Sequence, residues 1–276
     1  MPEPLPPLYL ATAIEAVIRA GDVQMAHFGG VMQVDKKGAI DLVTNIDIEV
    51  ERAFRAMIAE RFPDHEVLGE EFAQAAEHHE IPRFCWVFDP VDGTTNYAHG
   101  LPIFCSSLAL EIDGEPVVGA IYDPTRRELF SAERGHGAWL NGKPLRVSTP
   151  DTLIDSLLVT GFPYSVQQES EELVGLFAEF LRTSRAVRRL GSAALDLCYV
   201  AAGRFEAFWE QKLNPWDVSA GALIVEEAGG RVTDSTGAPF RSRTGSIVAS
   251  NGRIHDAVVD TIRGSLEQFR SRNWTH

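Results

Sequence analysis

A chain of 276 residues, 45% of them hydrophobic, can bury a substantial core as one large domain or two closely packed ones, which excludes a mainly disordered protein. Lysine and arginine number 25 against 39 aspartates and glutamates, and the net charge of −14 excludes a general nucleic-acid binder, although metal ions can reverse the sign locally for an anionic substrate. Cys85, Cys105 and Cys198 are too widely spaced for a disulfide framework or a CxxC metal site, and no apolar run has the length of a membrane span. The start, MPEPLPPLYL, lacks the basic and apolar regions of a secretory signal, so a reducing, cytoplasmic setting is expected.

After the proline-rich tip, Ala11, Ile14, Val17, Ile18 and Met25 recur at helical spacing and predict an amphipathic opening helix. Residues 45–61, NIDIEVERAFRAMIAER, predict a second, with Ile48, Phe54, Met57 and Ile58 towards one side and Pro63 helping to stop it. From Phe84 the pattern changes. FCWVF, SSLALEI, PVVGAIY and RELFSA are short β-forming runs divided by turn pairs, so this section reads as sheet. Asn141-Gly142 in AWLNGKPLRV predicts a hairpin. GAWLNGK, residues 137–143, also fits the start of a nucleotide P-loop, but Pro144 replaces the magnesium-binding hydroxyl and a hairpin replaces the required helix.

STPDTLID, near residue 150, is the expected boundary between an N-terminal α+β region, 1–150, and a C-terminal α/β region, 151–276. The second region reads as a strand (LLVTG), a helix near 168–183, a helix from Gly191-Ser192 and a strand (RFEAFWE). A helix (VSAGALIVEEAGG), strands RVTD and SIVAS, and a closing helix over 254–270 complete it. Helices and strands alternate there, whereas the first region groups helices before a sheet.

The chemistry concentrates around WVFDPVDGTTNY. Asp89 and Asp92 flank Pro90-Val91 directly after a strand, and two carboxylates with the Val91 carbonyl are hard oxygen donors of the kind magnesium or manganese takes. The spacing does not match an EF-hand loop. Asp-Pro and Asp-Gly are also ordinary turn signals, so a solvated loop is the competing reading. Gly93 permits a tight turn whose amides, with the Thr94 hydroxyl, form a candidate anion cradle. Glu70 and Glu71 offer further carboxylates or a solvated surface pair, and Asp217 is a ligand candidate or a helix N-cap. His78-His79 sit in a charged stretch, and neither an H-E-x-x-H helix nor a G-x-S-x-G elbow occurs, so zinc and serine hydrolase readings fall away.

GEE at 69–71, DPVDGTTNY at 89–97 and WDVSAGALIVEEAGG at 216–230 together resemble the ordered signatures of the inositol monophosphatase family of metal-dependent phosphatases. The likeness runs from the opening helix to SIVASN. It implies an α/β (α+β) fold, a layered α-β-α-β-α sandwich of the inositol monophosphatase and fructose-1,6-bisphosphatase type. The two regions would pack as one unit, commonly as a homodimer. The resemblance gives Glu70, Asp89 and the Val91 carbonyl to one magnesium, and Asp89, Asp92 and Asp217 to a second. A third, weaker ion is expected near Glu70, with manganese as a substitute. Glu70 with Thr94 would activate water and Asp47 would support Thr94, although Asp47 in DLVTNID also suits a helix N-terminus.

By the same resemblance the substrate meets Asp92, Gly93, Thr94, the turn Gly191-Ser192-Ala193, Glu210 and Asp217. Ser192 doubles as an N-cap candidate, and Glu210 is either an acceptor for polyol hydroxyls or an exposed strand-end acid. Lys36 matches a basic position near the metals, Tyr97 replaces a more usual phenylalanine, and Asn214 stands where some members carry histidine. The implied activity is lithium-sensitive, magnesium-dependent hydrolysis of inositol monophosphates. Histidinol phosphate, nucleotide bisphosphates and fructose 1,6-bisphosphate are the alternative small phosphate esters, and a regulatory binding protein retaining the fold is the non-enzymatic alternative.

Overall fold

The computed structural model describes residues 6–30, 34–36, 42–72 and 81–273. Helix α1 (Pro7–His27) opens on a proline, which the first turn accepts because that N–H has no helical partner. A ribbon of β1 (Val34–Lys36) and β2 (Leu42–Thr44) leads into α2 (Asn45–Arg61). Thr44 caps α2: its hydroxyl accepts from the Ile46 N–H at 3.2 Å, and the Asp47 carboxylate accepts from the Thr44 N–H at 2.9 Å.

The β-forming runs of the middle section form one seven-stranded sheet. Its strands are β3 (Glu66–Gly69), β4 (Phe84–Asp92), β5 (Cys105–Ile112), β6 (Glu115–Asp123), β7 (Glu128–Glu133), β8 (Ala138–Leu140) and β9 (Lys143–Pro144), with α3 (Thr94–Ala98) between β4 and β5. They lie in chain order, with β3 parallel to β4 and the other neighbours antiparallel. Asn141 and Gly142 turn β8 into β9 with φ of 50° and 75°, the left-handed pair that a tight hairpin demands.

The C-terminal half runs β10 (Leu157–Thr160), α4 (Ser170–Thr183), β11 (Ala186–Arg188), α5 (Ala193–Ala201), β12 (Ala207–Gln211), α6 (Pro215–Glu227), β13 (Arg231–Thr233), β14 (Ser246–Ser250) and α7 (His255–Asn273). Its five-stranded sheet has the order β11-β10-β12-β14-β13, with β10 parallel to both neighbours. Among the described residues, no helix is long and apolar enough to cross a membrane.

Strand alternation sorts the side chains into layers. On β4, Trp86 and Phe88 face α1 and α2 in a core with Val17, Phe54, Leu108 and Val118. Cys85 and Val87 face the opposite way, into a core shared with α5, α6 and the inner face of the second sheet at Val159, Phe208 and Ala249. The outer face of that sheet, Leu158, Trp209 and Val248, is covered by α4 and α7 through Phe180 and Val258. The layers therefore run α1/α2, first sheet, α5/α6, second sheet, α4/α7, the expected α-β-α-β-α sandwich.

Three local expectations change. The strand begun by FCWVF does not stop before the Asp-Pro turn signal but continues to Asp92. Pro215-Trp216-Asp217 forms the first turn of α6 instead of preceding it, because proline is well suited to a first helical position. The short parallel strands β3 and β11 lacked enough residues to show a period.

A buried carboxylate ties the two halves together. Glu111 of β5 is fully buried and accepts from Ser219 of α6 at 2.8 Å, from Ser242 at 2.7 Å and from Arg243 at 2.6 Å. Glu111→Ala leaves these donors without their acceptor and should lower unfolding stability by about 3 kcal/mol. Chemical denaturation checks this, and an unchanged midpoint would show that the clamp contributes nothing.

Candidate active site

The pairing of β4 with β5 explains how two aspartates three residues apart face one cleft. Asp89 pairs with Ser107 and Asp92 with Cys105, three steps along one strand against two along the other. Without this bulge, residues three apart on a strand would point to opposite faces. The bulge also accommodates Pro90, which has no N–H for the ladder. The Val91 N–H donates to Asp89 Oδ1 at 2.9 Å, and the Val91 carbonyl accepts from Thr94 Oγ1 at 2.9 Å. Gly93 then turns at φ +96°, where an added Cβ would lie 2.9 Å from the Ile103 carbonyl oxygen, so both backbone and space call for glycine.

Elements distant in sequence complete the site. Asp47, buried in the first turn of α2, lies behind Thr94 with Oδ1 at 3.4 Å from its hydroxyl. Asp92 Oδ2 accepts from Ser192 Oγ at 2.6 Å and from the Ala194 N–H at 2.8 Å, so the N-terminus of α5 fixes this carboxylate. Asn96 Nδ2 donates to the Leu190 carbonyl at 2.9 Å, holding the turn before Gly191 against α3. Asp217 is not the N-cap of α6. That position belongs to Asn214, whose N–H donates to Asp217 Oδ2 at 2.7 Å. Glu70 follows β3, with its N–H directed at the Phe88 carbonyl at 3.3 Å.

Glu210, on β12, is buried and not an exposed strand-end acid. Its carboxylate occupies the space left by the missing side chain of Gly161. A cleft of about 270 Å³ results, lined by every sequence-predicted site residue except Asp47, which supports Thr94 from behind. His78, His79 and Lys37 lie outside the described residues, and of Lys36 only the backbone is described.

One acid escaped the sequence reading. Asp196 lines the cleft from the first turn of α5, is 1% exposed, and has no hydrogen-bond partner for either carboxylate oxygen among the described residues. Its position four residues after the Ser192 cap looks like an ordinary first-turn acid, so no local signal separates it from a solvated one.

Charge dominates the cleft. Burial, then the neighbouring Glu70, Asp92, Asp217 and Asp47, hold the Asp89 carboxyl well above the usual range. Asp217 is raised by burial and by Asp92 and Glu70, and Asp92 by burial despite the opposing hydrogen bonds from Ser192 and Ala194. Burial lifts Glu210 to about 8, with Arg189 pulling it down and Asp92 pushing it up. Asp196 is raised by burial, Glu210 and Asp92.

Among the described residues, no three potential ligands are drawn into a ready cage. The donor set nevertheless fits a hard divalent cation. It is all oxygen, it includes the Val91 carbonyl, and its carboxylates repel one another in the absence of positive charge.

The sequence matches the model of the inositol monophosphatase family over residues 8–267. The chain belongs to the inositol monophosphatase family. It is 43% identical to a protein of Synechocystis named inositol-1-monophosphatase, over 95% of this chain and 91% of that protein. It is 40% identical to the Escherichia coli K12 protein named Nus factor SuhB, over 95% of this chain and 98% of that one. The solved structure of a Thermotoga maritima IMPase superposes with a TM-score of 0.84 at 37% identity, covering 94% of this chain and 98% of that one. The inositol monophosphatase fold of these neighbours is the five-layer arrangement described above, and the family is generally metal-dependent and acts on small phosphate esters.

The raised carboxyls set a pH test. A carboxyl that binds its proton more tightly when folded contributes stability at low pH that is lost as pH rises towards the folded value. Chelated protein should therefore gain stability from about pH 8 to about pH 6, while saturating divalent cation flattens that slope and expels protons on binding. Thermal melts and calorimetry in buffers of different ionisation enthalpy measure both. A chelated protein whose stability does not change over this range would show that the fold does not raise the proton affinity of these carboxyls.

Proposed function

We propose that the chain hydrolyses inositol monophosphates to inositol and phosphate, using magnesium held by Glu70, Asp89, the Val91 carbonyl, Asp92 and Asp217. The observation that carries this reading is the cluster of buried, mutually repelling carboxylates around one cleft. Two or three bound magnesium ions, or manganese in their place, would neutralise that charge, hold the phosphate and lower the pKa of an attacking water.

The chain's own residues do the rest. Glu70 accepts the proton of the water. The Thr94 hydroxyl donates to the Val91 carbonyl at 2.9 Å with Asp47 behind it, which leaves a lone pair on Thr94 Oγ1 to orient that water. The amides of Gly93 and Thr94 donate to phosphate oxygens, and Ser192 with Ala194 keeps Asp92 in place. Water oxygen bonds to phosphorus as the ester bond breaks, without a phosphoenzyme, and the proton taken by Glu70 returns through solvent water to the leaving oxygen, which departs as the alcohol. Glu210, beside Gly191 and Ala193, accepts hydrogen bonds from hydroxyls of the leaving alcohol.

The name of the Synechocystis relative supports inositol 1-phosphate as substrate. Histidinol phosphate, nucleotide bisphosphates and fructose 1,6-bisphosphate are the competitors, because the metal side of the site does not choose the alcohol. We also propose a cytoplasmic, lithium-sensitive homodimer whose regions 1–150 and 151–276 work as one unit. The names of the SuhB relatives support a second reading, a regulatory binding role on the same fold. Comparing an inactive variant with a deletion in cells separates the two roles.

Phosphate release from a parallel panel of these esters should be greatest with inositol 1-phosphate and should vanish on chelation. Silence on every ester with magnesium present would end the enzymatic reading. Asp92→Asn should reduce kcat at least about 100-fold with the fold retained by circular dichroism. In labelled water the released phosphate should carry one solvent oxygen.

A further inference from the structure

Glu51 is fully buried on α2, one turn after Asp47, yet it belongs to none of the motifs and does not line the cleft. Both carboxylate oxygens are engaged. Oε2 accepts from the Glu71 N–H at 2.7 Å, and Oε1 accepts from Arg55 Nε and the Arg55 terminal nitrogen at 2.8 Å each. Arg55 in turn donates to the Val67 carbonyl at 3.1 Å, and its guanidinium lies 5.5 Å from the centre of the Phe72 ring. This pair of α2 side chains thus grips the end of β3 on both sides of Glu70.

Gly69 makes the grip possible. A Cβ at Gly69 would fall on the Glu51 carboxylate, so the carboxylate fills the place of a side chain immediately before Glu70. From the opposite side, the Phe88 carbonyl of β4 faces the Glu70 N–H. Asp47 and Glu51 are i and i+4 on one helix, and they reach Thr94 and the Glu70 segment respectively.

We infer that Glu51 is a positioning residue for Glu70, and that α2 sets the separation of Glu70 from Thr94 through two buried carboxylates one turn apart. The inference rests on the proposed role of Glu70. A backbone hydrogen bond at residue 71 restricts the rotation of the segment carrying the Glu70 side chain, so losing it adds an ordering cost to every event that needs Glu70 in place. Substrate contacts from Glu210 and the Gly191 turn are untouched by that change.

The test uses the full chain, with magnesium chloride alone as the calorimetric probe and inositol 1-phosphate for turnover. Wild-type protein that binds no magnesium and releases no phosphate refutes the proposed function itself, so that failure is separate from failure of the positioning role. Glu51→Met keeps volume and helix propensity but removes the acceptor. It should raise the magnesium Kd about tenfold or more and lower kcat by a similar factor, with KM changed less than about twofold. Glu51→Gln, whose side-chain carbonyl still accepts from the Glu71 N–H, should restore most of both losses.

In a Glu70→Gln background, Glu51→Met should add no further loss of magnesium affinity, because the two residues act in series. Folded Glu51→Met with wild-type magnesium affinity overturns the inference, as does a full additional loss in the Glu70→Gln background. If Glu51→Met does not fold, Gly69→Ala displaces the carboxylate while keeping its charge. The same weakening of magnesium binding is then expected, and wild-type affinity in Gly69→Ala overturns the inference.

Discussion

Mutual repulsion among buried carboxylates is the constraint around which this molecule is arranged. Asp89 and Asp92 are 2% and 8% exposed, and both carry raised proton affinity in a cleft they share with Glu70 and Asp217. Left to themselves, such groups would turn towards water or spread apart, since an unpaired buried charge is costly. The three aspartates cannot spread, because backbone holds each of them. The β4 bulge aims two of them, the Val91 amide holds Asp89, the start of α5 holds Asp92, and the first turn of α6 holds Asp217.

This explains why α5 and α6, the middle layer of the sandwich, matter beyond packing. Both helices begin at the cleft, and a helix N-terminus presents unpaired N–H groups and the positive end of the macrodipole. The helices that bury the largest core thus also bring partial positive charge to the carboxylates. That charge reduces the repulsion without cancelling it, since the acids remain raised. The site keeps room for a stronger positive charge, as the proposed binding of a cation together with phosphate requires.

Which parts were legible in the sequence follows from the range of the interactions. Asp89, Val91, Asp92, Gly93 and Thr94 form a local unit, and their spacing carries its own physical meaning. Glu70 and Asp217 were recognisable only by their order relative to that unit, as a family pattern. Glu51 was silent because its partner is Glu71, 20 residues away across a turn of chain, and a glutamate in a charged amphipathic helix resembles a solvated one. Glu111 was silent for the same reason at greater distance, with Ser242 131 positions on. Asn141-Gly142 was readable because a left-handed turn is a property of two residues, whereas β3 and β11 exist through their neighbours.

Under the proposed function, the two sides of the cleft differ in how they choose a ligand. The phosphate side is charged and repetitive, and any phosphate ester satisfies it. The alcohol side is built from elements without motifs: Glu210 on β12, seated over Gly161, and Asp196 on α5. Burial holds Glu210 to about 8 and raises Asp196; of the two cations lining the cleft, Arg189 opposes both shifts and Lys212 is paired with Glu169. An alcohol bearing several hydroxyls supplies donors to such a wall. An apolar alcohol leaves its acceptors unpaired, at a cost of about 1–3 kcal/mol for each buried group. Under the proposed function, discrimination among esters therefore arises from unsatisfied acceptors facing the leaving group and not from the cations, which see the same phosphate in every substrate.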